Sequence, residues 1–190
     1  MAMMLSQDVP ADALLERDPL ALLLGMLLDQ QVPMERAFAA PYQLQQRLGH
    51  ELDAHELAIY DPDALAELFA RQPALHRYPK AMAVRVQDIC RALVERYGGD
   101  VTGLWRDVAD AQELLDRLVA LPGYGTQKAQ IFVALLGKQR NVRPTGWREA
   151  AGPYGDEGVY RSVADVTDAD SLAKVREYKQ QVKAAFRAKR

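Results

Sequence analysis

Helical spacing runs through most of this chain. Between residues 82 and 97 the apolar side chains Met82, Val86, Ile89, Cys90, Leu93, Val94 and Tyr97 recur at intervals of three, four and seven, the repeat of one helix face. A second helix is predicted from Pro62. Asp61 is its cap, proline takes the first position, where a missing N–H costs nothing, and Leu65, Leu68 and Phe69 turn inward. Asp110-Ala-Gln-Glu113 has the form of a reciprocal cap ahead of Leu114, Leu115, Leu118 and Val119. Residues 20–28 are apolar nearly all round, which predicts a central buried helix, and Leu172, Val175, Tyr178, Val182, Ala185 and Phe186 trace a final amphipathic helix over residues 171–190. No stretch alternates as a half-buried strand would, and no internal repeat is present.

Glycine and proline at Pro33, Pro41, Gly49, Pro73, Pro79, Gly98-Gly99 and Pro122-Gly123 punctuate the pattern into helices of about 8–17 residues, so the expected fold is all-α. Residues 138–160 break the rhythm. Gly146, Gly152, Gly155, Gly158, Pro144 and Pro153 fall there with little apolar periodicity, and a long loop of functional use is expected.

Length and composition narrow the class. A chain of 190 residues with 49% hydrophobic and 26% charged residues buries an adequate core without a staple and lies outside the disordered class. Its longest strongly apolar run is less than half the roughly 20 residues of a membrane span. The first residues lack the basic-then-apolar order of a secretory signal, and a cytoplasmic location is expected. The single cysteine, Cys90, excludes an internal disulfide, a four-cysteine zinc site and a four-thiolate iron–sulfur cluster, and its place on an apolar face predicts inert packing. The net charge of −2 conceals an asymmetry, because residues 1–70 carry −9 and residues 71–190 carry +7. A basic later half suits a face that meets an anion, although a solvated surface has the same composition.

The anion has a candidate seat. Leu121-Pro-Gly-Tyr-Gly-Thr-Gln-Lys128 joins two helical patterns through a Gly-x-Gly turn. Its glycines permit positive φ, and the helix opening near Thr126 points unpaired N–H groups at the turn. A nucleotide-binding fingerprint is excluded, since helix rather than strand precedes the glycines and no Gly-Lys-Ser/Thr follows. A plain αα-hairpin needs the same glycines.

Three blocks in order resemble the base-excision DNA glycosylases of the helix-hairpin-helix/Gly-Pro-Asp superfamily. They are Leu24-Gly-Met-Leu-Leu-Asp29-Gln-Gln-Val32, then Asp61-Pro-Asp-Ala-Leu-Ala-Glu-Leu-Phe69 with Tyr78-Pro-Lys-Ala81 and its helix to Gly99, and finally Leu114-Leu-Asp-Arg-Leu-Val-Ala-Leu121-Pro-Gly-Tyr-Gly125. The resemblance implies a monomer of two helical lobes, about 30–118 and about 119–190 with the N-terminal 1–29, gripping damaged double-stranded DNA. Backbone amides of Gly123, Tyr124 and Gly125, with Thr126 and Lys128, would hold a phosphate, in some relatives beside a monovalent cation. Gln30 or Gln31 would fill the gap left by a nucleotide rotated out of the stack, and Trp147 and Tyr154, among the aromatics after the hairpin, would wall the base pocket.

Two departures qualify what the resemblance implies. Where the family carries its catalytic aspartate, Arg143-Pro-Thr-Gly-Trp-Arg-Glu149 offers Thr145, Gly146 and Trp147. A carboxylate usually stabilises the cation-like sugar of glycosidic cleavage, so Asp29, Glu35 and Glu149 are the candidate substitutes. The position of the Schiff-base lysine of strand-cleaving members is Gln127, with Lys128 about 100° further round the helix and expected to face the DNA backbone. The expected activity is a monofunctional N-glycosylase using water, without an iron–sulfur cluster. The alternative is a catalytically silent DNA-binding or lesion-sensing protein.

Overall fold

A computed structural model of the chain describes residues 2–189. Among these residues it contains helices and single 3-10 turns and no strand. The helices are α1 (Val9–Arg17), α2 (Pro19–Leu28), α3 (Met34–Leu48), α4 (Ala54–Ile59), α5 (Pro62–Ala70), α6 (Pro79–Tyr97), α7 (Ala111–Val119), α8 (Thr126–Gln139), α9 (Trp147–Ala150) and α10 (Ala169–Ala188).

The core is organised around α2. Nine of its ten residues are buried, its first turn is capped by Asp18, and it touches α1, α3, α6 and α8. A helix apolar on all sides has no solvated face to present, which forces this central position. Its approach to α3 is close because Gly25 lacks a side chain: a Cβ there would stand 2.6 Å from Cδ1 of Phe38. On α6 the buried Gln87 donates to the Leu57 and Tyr60 carbonyls at 3.1 and 2.7 Å, closing the end of α4. Cys90 is fully buried on the same helix, and burial pushes its thiol up to about 12, so it is inert packing.

Several local expectations shift. α6 begins three residues early, at Pro79. Pro41 does not end a helix but lies inside α3, facing the core. The Asp110 cap is not reciprocal: Asp110 accepts from the Glu113 N–H at 3.0 Å, but Glu113 accepts from Ala109 rather than from the cap residue. Residues 138–160 are not a bare loop. They complete α8, form α9 and the 3-10 turn Gly152–Tyr154, and are tied down by Lys138 to the Asp156 carbonyl and Arg148 to that of Gly155. The last helix starts at Ala169, and only Leu172 and Val175 of its apolar set are buried, whereas Tyr178, Val182 and Phe186 are exposed. Arg190, placed in that helix by its spacing, lies outside the described residues.

Candidate nucleic-acid interface

The hairpin between α7 and α8 is built by local sequence. Gly123 takes φ +82°, a left-handed conformation that favours glycine, and the Tyr124 N–H returns to the Leu121 carbonyl at 3.2 Å. A Cβ on Gly123 would come 2.6 Å from Cδ1 of Leu27, so the turn is packed directly on the end of α2. Among the described residues the N–H groups of Gly123 and Gly125 have no protein partner, and no side chain caps α8. Gly123, Gly125, Thr126 and Gln127 are exposed. The Tyr124 ring is not part of that surface: it is buried edge-on against Phe132, and its hydroxyl donates to the Leu23 carbonyl at 2.7 Å.

Lys128 turns inward rather than toward the exposed face. Its Nζ donates to the Leu27 carbonyl at 2.8 Å, capping α2 from another helix. Burial lowers its amine to about 8, partly opposed by the Asp29 charge. Asp29 in turn is pushed up by burial, with Lys179 and Lys128 pulling the other way.

The turn after α2 carries the two glutamines in different roles. Gln30 is fixed: its Nε2 donates to the Leu27 carbonyl at 2.9 Å and its Oε1 accepts from Arg85 at 2.6 Å. Gln31 is exposed at the tip with φ +57°, an uncommon conformation for a residue with a side chain. Beneath them the buried His76 places Nε2 3.1 Å from the Leu28 carbonyl and 3.0 Å from that of Gln30.

α10 reaches the α2–α3 region through its basic side chains. Arg176 pairs with Glu35, and Lys179 Nζ lies 4.0 Å from Asp29, whose side chain is 11% exposed. The second Glu35 oxygen, Oε2, is buried without a hydrogen-bond partner. Lys179 also borders a groove of about 360 Å³ between α8 and α10, lined by Gln127, Ile131, Tyr154, Tyr178 and Val182. The Gln127 amide donates to the Tyr154 hydroxyl at 2.9 Å across its floor.

The structure thus brings together Asp29, Glu35, Gln30, Gln31 and Lys128, with the hairpin and Tyr154 adjoining. It leaves Glu149 apart, exposed on α9. Trp147 does not share the groove of Tyr154: its ring is wedged against Gly137, with the Arg148 guanidinium 4.4 Å from the ring centre. Sequence reasoning missed His76, Arg85, Arg176, Lys179, Ile131 and, as a groove residue, Tyr178. The spacing of Arg176, Lys179 and Lys183 along one side of α10 was a usable signal; nothing local to His76 was.

Residues 24–188 match the family model of the HhH-GPD superfamily base excision DNA repair proteins. The match spans most of the chain, which therefore belongs to this superfamily. A comparison with curated proteins returned no match. The chain is thus a base excision DNA repair protein by family, and DNA is its binding partner. Among the described residues no helix is long and apolar enough to cross a membrane.

Proposed function

We propose that the chain is a DNA N-glycosylase that removes a damaged base from duplex DNA by water attack, with Asp29 as the carboxylate facing the sugar. The observation that carries this reading is the setting of Asp29: a nearly buried carboxylate between Lys128, on the helix that the hairpin opens, and Lys179, which borders an aromatic groove. The open amides of Gly123 and Gly125 and the start of α8 bind a backbone phosphate. The Leu121 carbonyl, which accepts one N–H and keeps a second lone pair, suits a monovalent cation there. Gln31, free where Gln30 is tied, enters the stack, and the extruded base lies against Tyr154 and Tyr178 in the groove. Asp29 then stabilises positive charge on the sugar and orients water.

The test is incubation with duplexes carrying uracil, alkylated, oxidised and deaminated bases, followed by alkali to reveal abasic sites. Strand breaks only after alkali are expected, and Asp29→Asn lowers the rate by about 100-fold or more while DNA binding persists. Binding without cleavage of any substrate, or an undiminished Asp29→Asn rate, overturns the assignment; the former makes the protein a lesion sensor.

A second reading has its own observation. The Lys128 amine, lowered to about 8 beside Asp29, is about one-tenth unprotonated at pH 7 and able to attack an abasic sugar as a Schiff-base nucleophile. Strand breaks without alkali, and borohydride trapping of protein on DNA that Lys128→Met abolishes, would establish a lyase.

A further inference from the structure

The α2–α3 turn holds a conformation that its own sequence does not secure. Gln31 is left-handed without being glycine, and residues 29–32 contain neither glycine nor proline. A strained backbone of this kind persists only where its surroundings fix it, and such strain collects at functional sites.

What fixes it is remote in sequence. His76 Nδ1 accepts the Tyr78 N–H at 3.0 Å, and a backbone N–H can only donate, so Nδ1 carries no proton. The ring is therefore the Nε2–H tautomer, and its one proton is shared between the Leu28 and Gln30 carbonyls on either side of Asp29. The Leu28 carbonyl ends α2 and already accepts the Gln30 N–H at 2.8 Å, so His76 adds a second donor there and a donor to the Gln30 carbonyl just beyond the helix. Arg85, from α6, meanwhile holds the Gln30 side chain by its Oε1. Backbone and side chain of Gln30 are thus gripped separately, and Gln31 is the first residue beyond the grip.

We propose that His76 and Arg85 form a clamp that presets the Gln31 tip for insertion into DNA, with His76 as a positioning residue that works only in its neutral form. The clamp rests on the reading of Gln31 as the inserting residue, and it goes beyond that reading by stating what holds Gln31 ready. Protonation adds a hydrogen to Nδ1, where it meets the Tyr78 N–H, and breaks the arrangement. Burial opposes that proton first; the hydrogen bonds to the Gln30 and Leu28 carbonyls favour it, and the positive charges of Arg36 from α3 and Lys128 from α8 oppose it.

The clamp predicts behaviour in the free protein. Amide hydrogen exchange is followed at Asp29 and Gln30, whose N–H groups bond to the Met26 and Leu28 carbonyls. His76→Leu and Arg85→Met should each lower protection there at least tenfold without changing protection inside α6. His76→Gln, whose amide supplies a donor near the same place, should restore it. Because burial holds His76 below the ordinary histidine value of 6.5, wild-type protection should fall only at pH values under it, and in His76→Gln it should not fall. If His76→Leu does not fold, Arg85→Met and the two pH series still decide the matter. Unchanged protection in Arg85→Met together with equal pH series in wild type and His76→Gln overturns the clamp.

Insertion is read separately, by fluorescence of a 2-aminopurine next to an abasic site in duplex DNA. Loss of the binding-induced rise in the variants that lost protection supports the full proposal. A changed protection with no fluorescence rise even in the wild type leaves a clamp that does not serve insertion, and overturns the insertion reading rather than the clamp.

Discussion

The two turns that meet at the candidate interface are made in opposite ways. In the α7–α8 hairpin, Gly123 supplies the left-handed residue, and N–H groups are left open at the surface. In the α2–α3 turn a glutamine is left-handed, and the carbonyls of Leu27, Leu28 and Gln30 are each claimed by a side chain, from Lys128 and Gln30 itself or from His76. One turn is locally encoded and chemically open, the other remotely held and chemically closed. An open set of donors suits any phosphate, whereas a closed set of acceptors fixes a shape. The pairing matches a division of labour between gripping the backbone and entering the stack.

Breaking the link between the turns should have the largest effect. Lys128 is lowered from 10.5 to about 8 in the folded chain, so between these values the unfolded chain binds the proton that the folded chain has lost. Stability is therefore lower at pH 8 than at pH 10.5, by up to about 3 kcal/mol from this group alone. Urea unfolding of wild type and Lys128→Met across that range should show the gain in the wild type relative to the variant. Parallel curves would mean that Lys128 does not face a desolvated site.

A smaller effect is expected where the turns touch. Gly123→Ala places a Cβ against buried Leu27 at a backbone angle that side chains rarely adopt, and should cost about 2 kcal/mol in the same assay. It should also weaken DNA binding and flatten its salt dependence, because the amides proposed to hold a phosphate are displaced. Loss of stability with an unchanged salt slope would separate the packing role of Gly123 from phosphate binding.

The same contrast explains what could be read from the chain. Helix periodicity marked α2, α5, α6 and α7, because each buries one face or all faces, and α2, α5 and α7 are capped by adjacent residues such as Asp61. The hairpin was legible for that reason too, since Gly-Tyr-Gly states its own geometry. The site was only half legible. Asp29, Gln30, Gln31 and Lys128 stood in motifs, but the direction of Lys128 depended on where α2 ends, a contact across 101 residues. His76 lies 46 residues from Gln30, and no local pattern announces it. The separation of Trp147 from Tyr154 was not legible, because an aromatic after a glycine fits a pocket wall as well as it fits packing on Gly137, and only tertiary structure places it.

Gln31→Gly is the finest cut, and its two consequences have opposite signs. Glycine adopts φ +57° without the steric cost that a Cβ imposes, which should stabilise the folded chain. Part of that gain is returned as the greater freedom of glycine in the unfolded chain, so the net change in urea unfolding should be about 0.5 kcal/mol in favour of the variant. The variant nevertheless lacks the side chain proposed to enter the stack, and its 2-aminopurine response should be lost while its affinity for undamaged duplex stays near that of the wild type. A variant that is more stable and less able to unstack DNA would mean that strain at this position is kept for use. One that is less stable, with an unstacking response equal to that of the wild type, would mean that Gln31 is held by contacts of its own and that the turn is merely a connection between α2 and α3.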